Sequence, residues 1–304
     1  MKVIRSKVLG FCMGVKRAVE LAAGEAKAAG GNPVFTLGPL IHNPKVLDDL
    51  RALGIRVIED ISSIADHLLS ADNCTVIIRA HGISPRAEEE LRGKGFRIVD
   101  ATCPKVKASQ LKTRELSRAG CSLFLAGEEN IDGAQHAEIA GLLGYCEESA
   151  LCAVVISAKE AEKAAASLLL TNPGAKTALL GQTTICEEEY RNIGFAIKKY
   201  FPNLEIIETI CAATAERQKA LRELLTCTDA VLIAGSRASA NTRRLLAIAS
   251  KFSKESGAPC ALVENPDDIP AAFRNYKTIG LCAGASAPDS LVDEIEKNLL
   301  TFMP

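Results

Sequence analysis

The sequence predicts an α/β protein assembled from three comparable units, and three observations carry that expectation. Short β-branched runs alternate with amphipathic helical stretches, the pattern of strands joined by covering helices. Proline sits where helices would begin, at Ser84-Pro85, Cys103-Pro104 and Ala287-Pro288, which is its tolerated place in a helix. A strand running into a cysteine then recurs at a spacing of about 100 residues, the mark of an internal repeat.

Along the chain, strands are expected over 34–37, 75–79, 122–126, 177–181, 230–234 and 278–282. Residues 15–29 read as a helix, because Val15, Ala18, Val19 and Ala22 fall on one face. Residues 96–103 resemble 204–211: each is a strand with an acid, Asp100 or Glu208, three residues before a cysteine that opens a helix. Residues 3–11, followed by Cys12, form a looser third version without the acid. The implied units run over 13–102, 103–210 and 211–304, the last completed by an N-terminal strand within 1–12.

Composition narrows the function. A chain of 304 residues, 48% hydrophobic and 24% charged, can bury a core without staples and is long enough for two or three domains. With 36 basic against 37 acidic side chains the net charge is −1, which excludes a general nucleic-acid binder and a polybasic membrane reader. Four Tyr, nine Phe and no Trp leave no stacking platform for single strands. No apolar run approaches the roughly 18 residues of a membrane span. Lys2, Arg5 and Lys7 before the apolar stretch 8–15 imitate a secretion signal, but Lys16 and Arg17 cut it short and Phe11 stands where a cleavage site needs a small residue. The segment reads as a strand and the protein as cytoplasmic.

Eleven cysteines with no C-x-x-C exclude the usual zinc-ribbon and thioredoxin signatures, and in a reducing cytosol no disulfide framework is expected. Taken singly, each reads as a small buried hydrophobe. Cys12, Cys103 and Cys211 stand apart as a matched set at strand-to-helix junctions, where the helix dipole favours thiolate, the metal-binding form. On pattern alone, ligand and structural readings of this set both stay open.

The other strands also end in polar residues. His42, His81, the run Gln135-His136-Ala137-Glu138, the run Gln182-Thr183-Thr184, Ser239 with Asn241, and Ser286 all follow such strands. Ligands of open α/β sheets bind beyond the carboxyl ends of strands. Imidazoles, hydroxyls and an amide suit phosphate oxygens, especially beside helix N-termini. Singly, Ser84 and Ser286 read as helix caps and Thr183 and Thr184 as turn formers; His67, inside a helical stretch, reads as structural. Neither a P-loop lysine motif nor a strand-coupled G-x-G-x-x-G is present, so no common nucleotide is indicated.

The blocks Gly10-Phe-Cys12-Met-Gly-Val15, Arg79-Ala-His-Gly82, Asp100-Ala-Thr-Cys-Pro104, Gln182-Thr-Thr184, Ile210-Cys211, Ser239-Ala-Asn241 and Ala283-Gly-Ala-Ser-Ala-Pro-Asp289 are short singly but specific in this order. With them the chain resembles, over nearly its whole length, the LytB-type 4-hydroxy-3-methylbut-2-enyl diphosphate reductases that end the non-mevalonate isoprenoid pathway. The resemblance implies three α/β lobes with small, mostly parallel sheets, arranged pseudo-threefold around a central iron–sulfur cluster. It implies a 4Fe-4S cluster held by Cys12, Cys103 and Cys211, with one iron left for substrate and lost on conversion to 3Fe-4S. His42, His81, His136, Ser239, Asn241 and Ser286 would bind the diphosphate. Glu138 would supply protons, its carboxyl made easier to protonate by nearby anionic groups. Thr183 would meet the substrate hydroxyl or a relay water. Electrons would come from an external donor such as a ferredoxin or flavodoxin. The chain departs from the family in having Ala137 where a Pro is common, a longer acidic loop before His136, and Ala240 where a Ser is frequent.

Two other classes remain compatible with the residues alone. One is a metal-free enzyme whose helix-start cysteine attacks a phosphorylated substrate. The other is a diphosphate-binding protein without turnover.

Overall fold

The computed structural model describes residues 1–62, 74–128, 133 and 135–301; His67 lies outside the described residues. The elements begin with β1 (Lys2–Arg5), α1 (Met13–Ala28), β2 (Val34–Leu37), α2 (Pro44–Ala52), β3 (Ile55–Ile58) and β4 (Thr75–Ile78). Next come α3 (Pro85–Gly93), β5 (Arg97–Asp100), α4 (Pro104–Arg118), β6 (Ser122–Ala126), α5 (Ala137–Gly144), β7 (Cys152–Val155) and α6 (Ala158–Thr171). The chain continues through β8 (Thr177–Gly181), α7 (Glu187–Lys198), β9 (Glu205–Ile206), α8 (Ala212–Leu225), β10 (Ala230–Ala234) and α9 (Ala240–Ser256). It closes with β11 (Cys260–Val263), β12 (Thr278–Ala283) and α10 (Asp289–Thr301). The strands form three four-stranded sheets, ordered β1-β12-β10-β11, β3-β2-β4-β5 and β7-β6-β8-β9. Every pairing among the described residues is parallel, which requires the helical crossovers the alternating sequence pattern predicts.

Two compact units result, one of Met1–Lys16, Ile41–Asp48 and Cys211–Pro304, the other of Arg17–Leu40 and Asp49–Ile210. In the first, β1 is the edge strand of its sheet, with Val3 opposite Ile279. Leu232, Ile279 and Leu281 face Leu291, Val292, Ile295 and Leu299 of α10. Val231 and Ile233 point the other way, onto Leu221, Leu224, Leu225 and Leu245 of α8 and α9. A sheet covered on both faces explains why its central strands read as continuous apolar runs rather than as alternation. The second unit repeats this in the β7-β6-β8-β9 sheet: Phe124 and Leu179 pack on α6 and α7, Leu123, Leu125 and Leu180 on Ile139, Leu142 and Leu116.

Two sequence expectations change. The strand expected before Cys211 shrinks to Glu205–Ile206. Ile207 N still donates to Leu179 O at 2.9 Å, but the Gly181 N–H is then taken by the Thr209 hydroxyl at 2.8 Å, so a side chain completes the ladder. Cysteine pairing is the second: Cys146 and Cys152 form a disulfide, while the other nine cysteines are outside any disulfide. The chain reversal from α5 into β7 brings these two Cα atoms to 6.8 Å, a local proximity that an argument from cellular compartment does not see.

The Tyr190 hydroxyl bridges the end of the same sheet, sharing its proton between Leu179 O at 2.9 Å and Ile207 O at 2.7 Å. Tyr190→Phe is expected to cost about 1–2 kcal/mol, the range for a lost buried hydrogen bond. The measurement is a lower urea midpoint at unchanged slope.

Candidate active site

Four cysteines cap helices. The carbonyls of Cys12, Cys103, Cys186 and Cys211 accept the first intrahelical bonds of α1, α4, α7 and α8, at 2.9, 2.9, 2.9 and 3.1 Å. All four are outside any disulfide and partly exposed. The Cys103, Cys186 and Cys211 side chains make no cap hydrogen bond, so the sulfurs are not spent on the helix. What separates them is charge. The first turns of α1, α4 and α8 carry no acid, whereas α7 opens with Glu187, Glu188 and Glu189. Three carboxylates there offset the positive helix end. Cys282, the other cysteine adjoining a motif, is fully buried, and burial pushes its thiol up to about 11, so it is neutral at pH 7.

The segment leading to Cys103 explains the acid of the sequence repeat. Asp100 accepts a hydrogen bond from Thr102 N at 2.9 Å and pairs with Lys107 at 3.2 Å. Burial opposes its ionisation, but the bonds from Thr102 and the Lys107 charge together hold it below the usual carboxylate range. The acid shapes the turn into α4 and balances a lysine; it does not face the thiol's helix end as a free charge.

In the same unit, Glu138 is 1% exposed. Thr183 N donates to its Oε1 at 2.7 Å, and the Thr183 hydroxyl donates to its Oε2 at 3.0 Å. Burial raises the Glu138 pKa to about 7 against the lowering effect of both Thr183 bonds, and the Glu128 charge adds to the rise. The expectation of an easily protonated carboxyl therefore rests first on burial. His136, 1% exposed, is the N-cap of α5. Its Nδ1 accepts from Glu138 N at 3.2 Å, which in the neutral ring places the proton on Nε2. The imidazole thus satisfies one of the first N–H groups of α5, with Ala137 as the first helical residue. The His81 and His136 rings meet edge to face, 5.2 Å apart. Close packing sets this approach: a Cβ at Gly141 of α5 would lie 2.8 Å from the Gln110 amide nitrogen, which itself donates to His81 O at 3.4 Å. Ser84 is an N-cap, accepting from Ala87 N, as its single-residue reading has it.

The other unit gathers the remaining polar residues about the loop after β12. Cys12 N donates to Ala285 O at 3.1 Å, and Ala285 N donates to Asn241 Oδ1 at 3.0 Å. The Ser286 hydroxyl donates to His42 O at 3.4 Å, while Asn43 Nδ2 donates to Ser286 O at 2.8 Å. Ser286 is thus a link between two loops, not a helix cap. Ser239 caps α9, its hydroxyl accepting from Thr242 N at 3.4 Å. Because Asn241 Oδ1 is engaged, the orientation of its amide is fixed; the buried Nδ2 has no hydrogen-bond partner among the described residues. A buried amide donor left this way calls for an acceptor from outside the chain.

The family model described as LytB protein matches residues 3–300. The chain belongs to the LytB family. It is 40% identical, over 99% of both chains, to the 4-hydroxy-3-methylbut-2-enyl diphosphate reductase of Treponema denticola. It is 36% identical to that of Aquifex aeolicus, over 98% of this chain and 95% of the relative. A solved structure of the E-1-hydroxy-2-methyl-but-2-enyl-4-diphosphate reductase of Plasmodium falciparum is similar at a TM-score of 0.85 and 27% identity, over 99% of this chain and 88% of that one. A second, a (E)-4-hydroxy-3-methyl-but-2-enyl diphosphate reductase described as the terminal enzyme of the non-mevalonate pathway, gives 0.68 and 33% over 99% and 100%.

In this LytB chain each of these three thiols, outside any disulfide and at a helix N-terminus without competing acids, is of a kind that suits a metal. Sequence reasoning missed two arginines that fix the segments beside Cys103 and Cys12. Arg17 donates to Thr102 O at 3.2 Å and Asp100 O at 3.3 Å, beside Cys103. Arg217 is 1% exposed and donates to Gly10 O at 3.0 Å and Ala283 O at 2.8 Å, beside Cys12. Gly10 has φ +68°, and a Cβ there would collide with the Asp289 carboxylate, so the Cys12 turn admits no larger residue. Arg217 left a signal in the sequence as a lone cation on the apolar face of α8. Among the described residues, no helix is long and apolar enough to cross a membrane.

Proposed function

We propose that this protein is an oxidoreductase that removes the allylic hydroxyl of 4-hydroxy-3-methylbut-2-enyl diphosphate as water, with two electrons and two protons. The products are isopentenyl and dimethylallyl diphosphates, at the last step of the non-mevalonate isoprenoid pathway. The observation that carries the reading is a chain matching the LytB family from residue 3 to 300 with three cysteines outside any disulfide, each capping a helix that has no acid in its first turn. Cys12, Cys103 and Cys211 would hold a 4Fe-4S cluster. When bound, that cluster supplies electrons and a Lewis-acidic iron for the hydroxyl.

The protein's own groups do the rest. Glu138, with a pKa of about 7, holds a proton over much of the neutral range and can release it. Thr183 N and its hydroxyl fix the carboxyl's direction. His42, His81, His136, Ser239, Asn241 and Ser286 would bind the diphosphate. The proton on His136 Nε2 and the Asn241 Nδ2 amide are donors of the kind phosphate oxygens accept. Ala240 removes one hydroxyl from that set, leaving the backbone of the α9 start in its place. Electrons would come from an external carrier of the ferredoxin or flavodoxin class, in the cytoplasm.

Iron and acid-labile sulfide measured on protein purified without oxygen test the reading, followed by turnover of the diphosphate under a strong chemical reductant. About four of each per chain are expected, with release of both products. Iron-free, folded protein that stays inactive after reconstitution, yet loses an activity to thiol alkylation, would establish the cysteine-nucleophile enzyme instead. Ligand binding without turnover in iron-loaded protein would leave only the binding protein.

A further inference from the structure

Arg217 is the largest of the fully buried side chains. Its hydrogen-bond partners are carbonyl oxygens: Ala283 at 2.8 Å, Gly10 at 3.0 Å and, more weakly, Val8 at 3.5 Å. Its Nε–H has no acceptor among the described residues, and no carboxylate among them pairs with it. Burial pushes its pKa down. Two of its carbonyl partners, Val8 and Gly10, lie on the segment that runs into Cys12, and Gly10 is two residues before that thiol.

A buried guanidinium without a carboxylate is costly unless some other anion accompanies it. Three carbonyl dipoles offset part of that cost, and they belong to the β1–α1 turn and the end of β12, the two segments between which Cys12 is set. We propose that Arg217 is a positioning residue that pins the Cys12 turn and serves as the fixed buried counter-charge of the metal group held there. The inference rests on the reading of Cys12 as a cluster ligand. Arg17 clamps the Cys103 segment in the same way but from an exposed position, where water screens its charge. Of the two, Arg217 alone combines a clamp with a buried charge. A fixed cation stabilises whichever state carries more negative charge, so it favours the reduced form and raises the midpoint potential of electron uptake from the external donor.

The test compares Arg217→Gln with Arg217→Lys by potential titration of anaerobically reconstituted protein, together with amide exchange of residues 8–12 in the metal-free chain. Arg217→Gln is expected to favour the reduced form about tenfold less, a fall of about 59 mV for a one-electron couple. Arg217→Lys keeps the charge and loses the fork, so its potential stays within threefold of wild type while exchange at residues 8–12 accelerates. Wild-type potentials in both variants overturn the inference. If Arg217→Gln does not fold, Arg217→Lys decides alone: unchanged exchange at 8–12, or a potential lowered tenfold despite the retained charge, overturns it. Failure of the underlying reading is separate and visible first, as wild-type protein that takes up no iron.

Discussion

Glu138→Gln is expected to keep its iron and bind the diphosphate substrate while turning over on the order of 10²–10⁴-fold more slowly, the usual worth of a general acid. The substitution keeps the shape of the site. Gln Oε1 can still accept from Thr183 N, and its amide can donate to the Thr183 hydroxyl in place of the bond now running the other way. What it cannot do is release a proton. Wild-type kcat/KM should then fall as pH rises through about 7, the Glu138 pKa, and the residual rate of the variant should lack that limb. The same carboxyl makes a stability prediction of opposite sign. Folding raises its pKa from 4.5 to about 7, so between those values the folded state holds a proton that the unfolded state has lost. Stability falls as pH rises through that window, by up to ~3 kcal/mol at ~1.4 kcal/mol per unit. Metal-free Glu138→Gln should match wild type near pH 4.5 and unfold at a higher temperature above pH 7. Turnover near the wild-type rate would remove Glu138 from the reaction, and equal melting at pH 8 would show the carboxyl is not held at a raised pKa.

The sequence carried the elements whose cause is local. Pro85 and Pro104 mark helix starts because a missing N–H is free of cost there, and β2, β4, β6, β8, β10 and β12 lie where the β-branched runs were read. The candidate cysteines were legible for a related reason: a residue placed between a strand and a helix is necessarily a cap. What was not legible depends on burial and on contacts far apart in sequence. Nothing in His136-Ala137-Glu138 announces that the histidine side chain would cap α5, or that the carboxyl would be sealed in. Desolvation, which leads the rise in the Glu138 pKa, leaves no mark in the sequence. Asp100 was legible only as the acid of the repeat, and its engagement by Thr102 and Lys107 was not. Arg217 reaches Gly10 across 207 positions, a partnership no window of periodicity contains.

Replacing Cys12, Cys103 or Cys211 by Ser should abolish the cluster and with it activity, a loss on the order of 10²-fold or more, because serine oxygen is a poor substitute for a soft thiolate ligand. The usual objection to such a result, that the variant merely misfolds, is answered by the helix caps. Serine is among the best N-cap residues, and its hydroxyl can accept a first-turn backbone N–H, a bond the cysteine side chains of α4 and α8 do not make. Metal-free Cys103→Ser and Cys211→Ser should therefore be as stable as wild type or more so, by about 0.5–1 kcal/mol. Loss of iron with a gain in melting temperature is a pairing that a purely structural cysteine would not give. Cys186→Ser is the matched control: the same cap geometry and the same expected gain, but a helix opened by Glu187, Glu188 and Glu189, and iron content unchanged. Cys74, Cys121, Cys146, Cys152, Cys227, Cys260 and Cys282 should behave like it in iron content. Iron lost from Cys186→Ser and kept in Cys211→Ser would reverse the assignment, and would mean that helix-end charge does not choose among these thiols.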